Sequence, residues 1–306
     1  MTATLLLAQL LNGLQYGVLL FLLAAGLTLV FGIMSFVNLA HGSLYMLGAY
    51  AGALAYGATD SFALALLAAA GAALAIGMAL EWIIVSRLYR RDHLDHVLAT
   101  FGLVMFFNEL VRMVWGPQPL FVQVPQVLGG TVSLLGFNYP AYRFAIIVVG
   151  LAVAVGSHLL IHKTRLGMLI RAGAQYPQLV SALGVNIGLL NAVLFGLGAM
   201  LAGLAGAMAG PVLSVQSGMG EPVLITTLVV IVIGGIGSVK GALYAAMIVG
   251  VVDTFGRVLL PLLLRQIAER SIADAAGPAL ASMSVYLLMA LVLALRPQGL
   301  FPARRG

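Results

Sequence analysis

No cysteine occurs anywhere in this sequence, which removes disulfides, thiolate catalysis and Cys-based metal sites from consideration. Charge is nearly as scarce, since only 8% of residues are Asp, Glu, Lys or Arg. From Leu5 to Thr59 there is no Lys, Arg, Asp, Glu or Pro. Phosphate-loop chemistry is also missing: the Gly-rich run VIVIGGIGSVKGALYAAMIVG contains no G-x-x-x-x-G-K-[ST] and lies between apolar stretches rather than after a soluble strand. No Ser/His or paired-carboxylate arrangement points to an intramembrane enzyme. No Asp/Glu/His chain forms a proton relay, and no cluster of ligands around His41 indicates a metal. The sequence therefore calls for no cofactor and no catalytic residue.

What fills the chain instead is apolar: 62% of its residues are hydrophobic and the mean hydropathy is +1.11. A transmembrane helix needs about 20 mostly apolar residues, and several continuous Leu-, Ala-, Val- and Gly-rich runs meet that length. Barrel strands would show short alternating segments, so the expectation is an all-α, polytopic transmembrane bundle with discontinuous helices. Spans are predicted at about 5 to 33, 40 to 58, 61 to 85, 94 to 115, 141 to 161, 188 to 212, 222 to 238, 241 to 260 and 279 to 295, giving eight or nine crossings in a single domain over 1–306. The start, MTATLLLAQLLNGLQYG, has no basic residue before its apolar stretch, so a retained first span is expected rather than a signal peptide.

The net charge of +6 reflects orientation in the membrane, not nucleic-acid binding. Basic residues gather in RLYRR (Arg87 to Arg91), HKTRLGMLIR (His162 to Arg171) and RPQGLFPARRG (Arg296 to Gly306). The positive-inside rule places these loops in the cytoplasm, and nine crossings with the N-terminus outside satisfy it. The uncharged, Pro- and Gly-punctuated loop at about 116 to 140 suits the external surface. The opposite loop, about 162 to 187, exceeds what a connection needs and carries an amphipathic piece, which points to a partner. Small residues spaced in fours through Phe195 to Gly210 let helix backbones approach closely, and no chemistry is assigned to them.

Fifty-five uncharged residues of continuous helix would be about 80 Å long, so the chain must turn between Leu5 and Thr59. Gly32, Ser35, Asn38 and Gly42 are the available breaking positions, and irregular backbone at that depth needs protein or water around it. A second break is expected at Gly234, Gly235, Gly237, Ser238 and Gly241. There Lys240 to Tyr244 echoes His41 to Tyr45, a pattern that fits a repeat-built transporter as well as chance. Asn38, His41 and Tyr45 share one small, polar helical face. Asn38 either caps the second span or lines a path, and His41 either lines a path or packs. Asn12 and Gln15, one turn apart, are the other candidates for a substrate pathway. Glu109 with Arg112, and Asp253 with Arg257, are spaced for internal pairing.

Four ordered motifs carry a family resemblance. LNGLQYGVLLFLLAAGLTLVFGIMSFVNLAHGSLYMLGAY, TRLGMLIRAGAQYPQLVSALGVN, GGIGSVKGALYAAMIVG and the terminal RPQGLF resemble the LivH-type permeases of branched-chain amino acid ABC transporters. The resemblance implies a multi-pass bacterial inner-membrane subunit that carries branched-chain or other apolar amino acids and lacks its own ATPase. It also implies a second permease subunit, two cytoplasmic ATPase subunits and a periplasmic amino-acid-binding protein as partners, beside membrane lipid. Arg165, Arg171, Ala174, Gln175, Ala182 and Gly184 fit the family's coupling loop. The family's acidic-Ala-Ala element is replaced by Gln178, Leu179 and Val180 before Gly184, so an acidic contact is absent there. From the residues alone a stand-alone secondary transporter or channel for small zwitterions remains the alternative.

Overall fold

The computed structural model describes residues 3–34, 36–89, 91–134, 136–266 and 269–301. Ser35, Arg90, Arg304 and Arg305 lie outside the described residues. In chain order the elements are α1 (Ala3–Met34), α2 (His41–Thr59), α3 (Phe62–Leu80), a π-helical turn (Glu81–Val85), α4 (Ser86–Leu88), α5 (His93–Trp115) and a 3-10 turn (Gln126–Leu128). They continue with β1 (Thr131–Leu134), β2 (Phe137–Pro140), α6 (Ala141–Lys163), α7 (Arg165–Gln175), α8 (Pro177–Ala182), α9 (Ile187–Ala209), α10 (Gly220–Gly234), α11 (Val239–Leu264) and α12 (Arg270–Leu295).

Among the described residues seven helices are long and apolar enough to cross a membrane, where the sequence predicts eight or nine spans. Two of the nine predicted spans account for the difference. The α2 helix has the length but is diluted by His41, Ser43 and three tyrosines. The α10 helix is apolar but has 15 residues, about 22 Å of rise against a core of about 30 Å. Among the described residues the one sheet is the hairpin β1–β2, antiparallel with Thr131 opposite Pro140 and Leu134 opposite Phe137.

Local chemistry sets the helix ends. Ser61, Thr164, Asn186 and Ser238 each accept a backbone N–H at the start of a helix, satisfying donors that the first turn leaves free. Gly116 (φ 83°) and Gly235 (φ 99°) follow the ends of α5 and α10, in a region that side chains with a Cβ disfavour.

The strongly apolar α1 is central rather than lipid-facing, with Val18 to Ala25 continuously buried. It packs against α11, α9, α6 and α10, while α3 and α2 close over α9. Lipid tails are as apolar as leucine, so burial of apolar area does not drive this association; close backbone packing does. Gly13 and Gly17 of α1 leave room only for the α11 backbone, since a Cβ on them would fall 2.8 Å from Val251 Cα and 2.7 Å from the Ala246 oxygen. In α9 the small-residue ladder makes the same kind of contact: Gly198 lies on Gly26, Gly203 on Gly48 and Ala73, and Gly206 on Tyr45. At the other end of the chain, Leu300 N–H donates to the Ile233 carbonyl (2.8 Å) and Phe301 N–H to that of Gly234 (3.0 Å). The terminal segment thus completes the hydrogen bonds of the last turn of α10.

Candidate functional site

The first interruption is a climb back into the bundle. The α1 helix runs through Gly32 to Met34, and α2 starts at His41, whose ring Nε2 is 3.2 Å from the Leu23 carbonyl oxygen. Gly26 also touches that ring, and Met34 is about 12 Å farther along α1 at 1.5 Å per residue. Residues 36–38 are irregular and 39–40 turn into α2, with His41 N–H donating to the Asn38 carbonyl. Because a carbonyl only accepts, Nε2 carries the proton; Nδ1 is left as a buried acceptor without a partner. Ala40, not Asn38, holds the N-cap position of α2 and makes no side-chain cap. The Asn38 side chain is 1% exposed, and neither its oxygen nor its nitrogen has a hydrogen-bond partner.

A second chain break meets the first. The α10 helix begins at Gly220, and a Cβ on Gly42 would fall 2.7 Å from the Gly220 oxygen. Two helix N-termini therefore abut inside the bundle. The preceding segment, 210–219, is irregular, with Val215 fully buried and paired to Leu120 through two backbone hydrogen bonds of 2.8 and 2.9 Å. Asn108 holds its far side, donating its side-chain amide to Glu221 and accepting the Ser217 hydroxyl on its backbone carbonyl (3.0 Å). Glu221 was not singled out from sequence; its position directly after Gly218–Met219–Gly220 was the available signal.

The remaining predicted positions separate into groups. Gly32 lies within α1 against Gly237 Cα, and Gly42 within the first turn of α2, so both serve close packing. Gly234 ends α10, Gly235 and Gly237 turn with positive φ, Ser238 caps α11 and Gly241 rests on Gly234. The echo of His41 to Tyr45 in Lys240 to Tyr244 does not extend to environment: Lys240 and Tyr244 are exposed, with Tyr244 stacked on Phe301 at 5.0 Å, while His41 and Tyr45 are buried. Asn12 sits at the other end of α1, where its carbonyl oxygen accepts from Tyr139 (3.0 Å) and Arg143 (2.8 Å). It anchors the hairpin, and burial pushes the Tyr139 phenol up to about 12, so it stays a donor. Gln15 is buried one turn further along α1. Asn38, His41 and Tyr45 are thus together at the start of α2, with Asn12 and Gln15 on a separate level.

At the basic end, α7 and α8 form the predicted amphipathic piece. Thr164 caps α7 by accepting Gly167 N–H (3.1 Å), and the Arg171 guanidinium donates back to the Ile161 carbonyl. This holds α7 under α6, with Ile170 buried. Arg165 lies in its first turn, Ala174 and Gln175 in its last, Ala182 ends α8, and Gly184 follows with φ 85°. Met168, Tyr176, Leu179 and Leu183 are left exposed. Above α7 an apolar cavity of about 220 Å³ separates α6 from α9.

Sequence reasoning missed a packed polar group at the same end. Tyr89 donates to the buried Glu81 carboxylate (2.7 Å), and Phe36 packs among Tyr89, His96 and Phe195. The two pairs foreseen from spacing are present: Glu109–Arg112 at 3.2 Å and Asp253–Arg257 at 2.8 Å. Among the described residues no group of His, Asp or Glu is arranged to hold a metal. On the hairpin side a groove of about 610 Å³ runs between the α2–α3 turn and Pro125 to Leu128.

Comparison with known proteins gives the arrangement a context. Residues 9–295 match the family model described as branched-chain amino acid transport system / permease component. The chain is 30% identical to the high-affinity branched-chain amino acid transport system permease protein BraD of Pseudomonas aeruginosa, across 96% of this chain and 95% of that protein. It is 28% identical to the permease protein LivH of Escherichia coli K12, across 83% and 87%. A probable LivH of Methanocaldococcus jannaschii is 25% identical across 78% and 77%. No solved structure matches the chain.

Proposed function

Because the chain belongs to the family of branched-chain amino acid transport permeases, we propose that it is the membrane-spanning subunit of an ATP-driven importer of branched-chain or other apolar amino acids. Its partners are a second permease subunit, two ATPase subunits in the cytoplasm and a periplasmic binding protein, and it resides in the inner membrane. The family match over nearly the full chain carries this reading. It is supported by the α7–α8 segment, which presents apolar Met168, Tyr176, Leu179 and Leu183 at the basic end of the bundle, as a docking surface for an ATPase requires.

With the basic loops inside, α1 enters from the periplasm, and α2 and α10 are the two elements that join the seven long helices to complete nine. The hairpin, the groove beside it and the exposed Phe121 and Val127 then face the binding protein. Arg171 positions α7 through the Ile161 carbonyl. The cavity above α7 gives α6 and α9 room to close when the ATPases draw α7 inward. Cargo passes along the face where α2 and α10 begin, since irregular backbone inside a bilayer is tolerated only against protein or water. Few fixed charges line that face, so a zwitterion is passed without tight binding, and selection rests mainly with the binding protein.

The test is reconstitution with the partner permease, the ATPases and a loaded binding protein in liposomes. Uptake that requires both the binding protein and ATP is the expected result. Uptake driven by an ion gradient without ATP would overturn the reading in favour of a stand-alone carrier.

A further inference from the structure

Beside the connector that follows α1, about two turns or more along α10 from the Gly42–Gly220 junction, is a cavity of about 80 Å³, lined by Leu27 and Phe31 of α1, Asn38 of the connector, and Leu228, Ile231 and Val232 of α10. Its wall is apolar except for the Asn38 amide, buried to 1% exposure with no hydrogen-bond partner on either polar atom. Buried amides in folded proteins are nearly always bonded, so this group is aimed at something that binds there. An amide both donates and accepts, which matches the carboxylate and the ammonium of a zwitterion.

The cavity is not on the lipid side. Pro222, Ile225, Leu228, Val232 and Ile236 form one partly exposed stripe along α10 and past its end. The α10 helix is too short to span by itself, and irregular chain precedes it at Gly220. A bilayer cannot solvate those free backbone groups, so the stripe faces the path or the partner permease.

Resting on the importer reading above, we propose that this cavity receives the branched aliphatic side chain of the amino acid in transit, while the Asn38 amide holds its zwitterionic end. Size fits that occupant. An apolar cavity of about 150 Å³ takes a benzene ring, so one of about 80 Å³ suits the three or four carbons of valine, leucine or isoleucine and excludes an aromatic ring. Val232 and Leu228, half-buried at the rim, set the width of the entrance.

The experiment uses the assembled transporter in liposomes with a binding protein that loads both L-leucine and L-alanine. Val232→Phe fills the cavity; Leu228→Phe does so from a neighbouring turn, so either variant that assembles serves. The expected result is at least a tenfold fall in leucine uptake, alanine uptake within twofold of the unmodified protein, and unchanged stimulation of ATP hydrolysis by the binding protein. Asn38→Leu lowers uptake of both amino acids while leaving stimulated hydrolysis intact. Equal losses for leucine and alanine in both filled variants, or no loss in either, would overturn the subsite: the cavity then holds only water or lipid. Absence of ATP-driven uptake in the unmodified protein overturns the importer reading itself, and the subsite with it.

Discussion

Replacing Gly42 by alanine tests whether two helix starts truly lean on each other's backbone. The added Cβ would fall 2.7 Å from the Gly220 oxygen, 3.0 Å from its carbonyl carbon and 3.2 Å from Leu224 Cβ, where ordinary contact begins at 3.4 Å. The two nearest atoms are backbone and cannot swing aside. The starts of α2 and α10 must therefore part by about 0.7 Å, and a radial gap of that size forfeits roughly a quarter to a half of each dispersion contact along the seam. Overpacking of this kind costs about 1–3 kcal/mol. Gly71→Ala is the matched control: its Cβ meets open space inside α3, so the variant gains about 1 kcal/mol from helix propensity. Unfolding in one detergent, followed by tryptophan fluorescence, reads both. Trp115 is well placed for this, since its ring lies 4.9 Å from that of Tyr50 on α2. If Gly42→Ala is as stable as the unmodified chain, the backbone junction described above is wrong.

Asn38→Leu removes two unpaired polar atoms from the interior and raises stability by about 1–3 kcal/mol, measured as a higher unfolding midpoint; a fall would show that the amide is bonded in the protein itself. Tyr89→Phe leaves the buried Glu81 carboxylate without its donor and costs about 1–3 kcal/mol, and adding Glu81→Leu recovers most of the loss in the same assay. Asn12→Ala frees both Tyr139 and Arg143 from α1, so limited proteolysis cuts the 131–140 hairpin faster, with uptake measured in parallel. Leu179→Ser with Leu183→Ser strips the apolar face of α8 and its following turn and lowers co-purification of the ATPases at least fivefold; unchanged recovery would place the docking surface elsewhere.

Hydropathy located the seven long apolar helices, because periodic apolar runs are the strongest signal in a chain of this composition. Their depth was another matter. Gly32 looks like a breaker in isolation, yet α1 continues through it since Gly237 of another segment fills the space a side chain would need. The span predicted at about 222 to 238 is shorter at its far end, because α10 stops at Gly234 and Gly235 turns with φ 99°. The spaced pairs Glu109–Arg112 and Asp253–Arg257 were readable because both partners lie on one helix. Partners distant in sequence were not: the Leu23 carbonyl for His41, Tyr139 and Arg143 for Asn12, and Glu221 for Asn108. Of the two readings open for Asn38, the cap is excluded, since that position lies two residues later at Ala40.

The clasp of Leu300 and Phe301 on the last carbonyls of α10 gives that helix a mechanical character. One end is gripped by the C-terminal segment and the other abuts Gly42, with about four turns of rigid helix between them. A helix of that length transmits axial load without compressing. It is built as a push-rod, joining the C-terminal segment to the centre of the bundle, where α2 begins and His41 meets the carbonyl of Leu23.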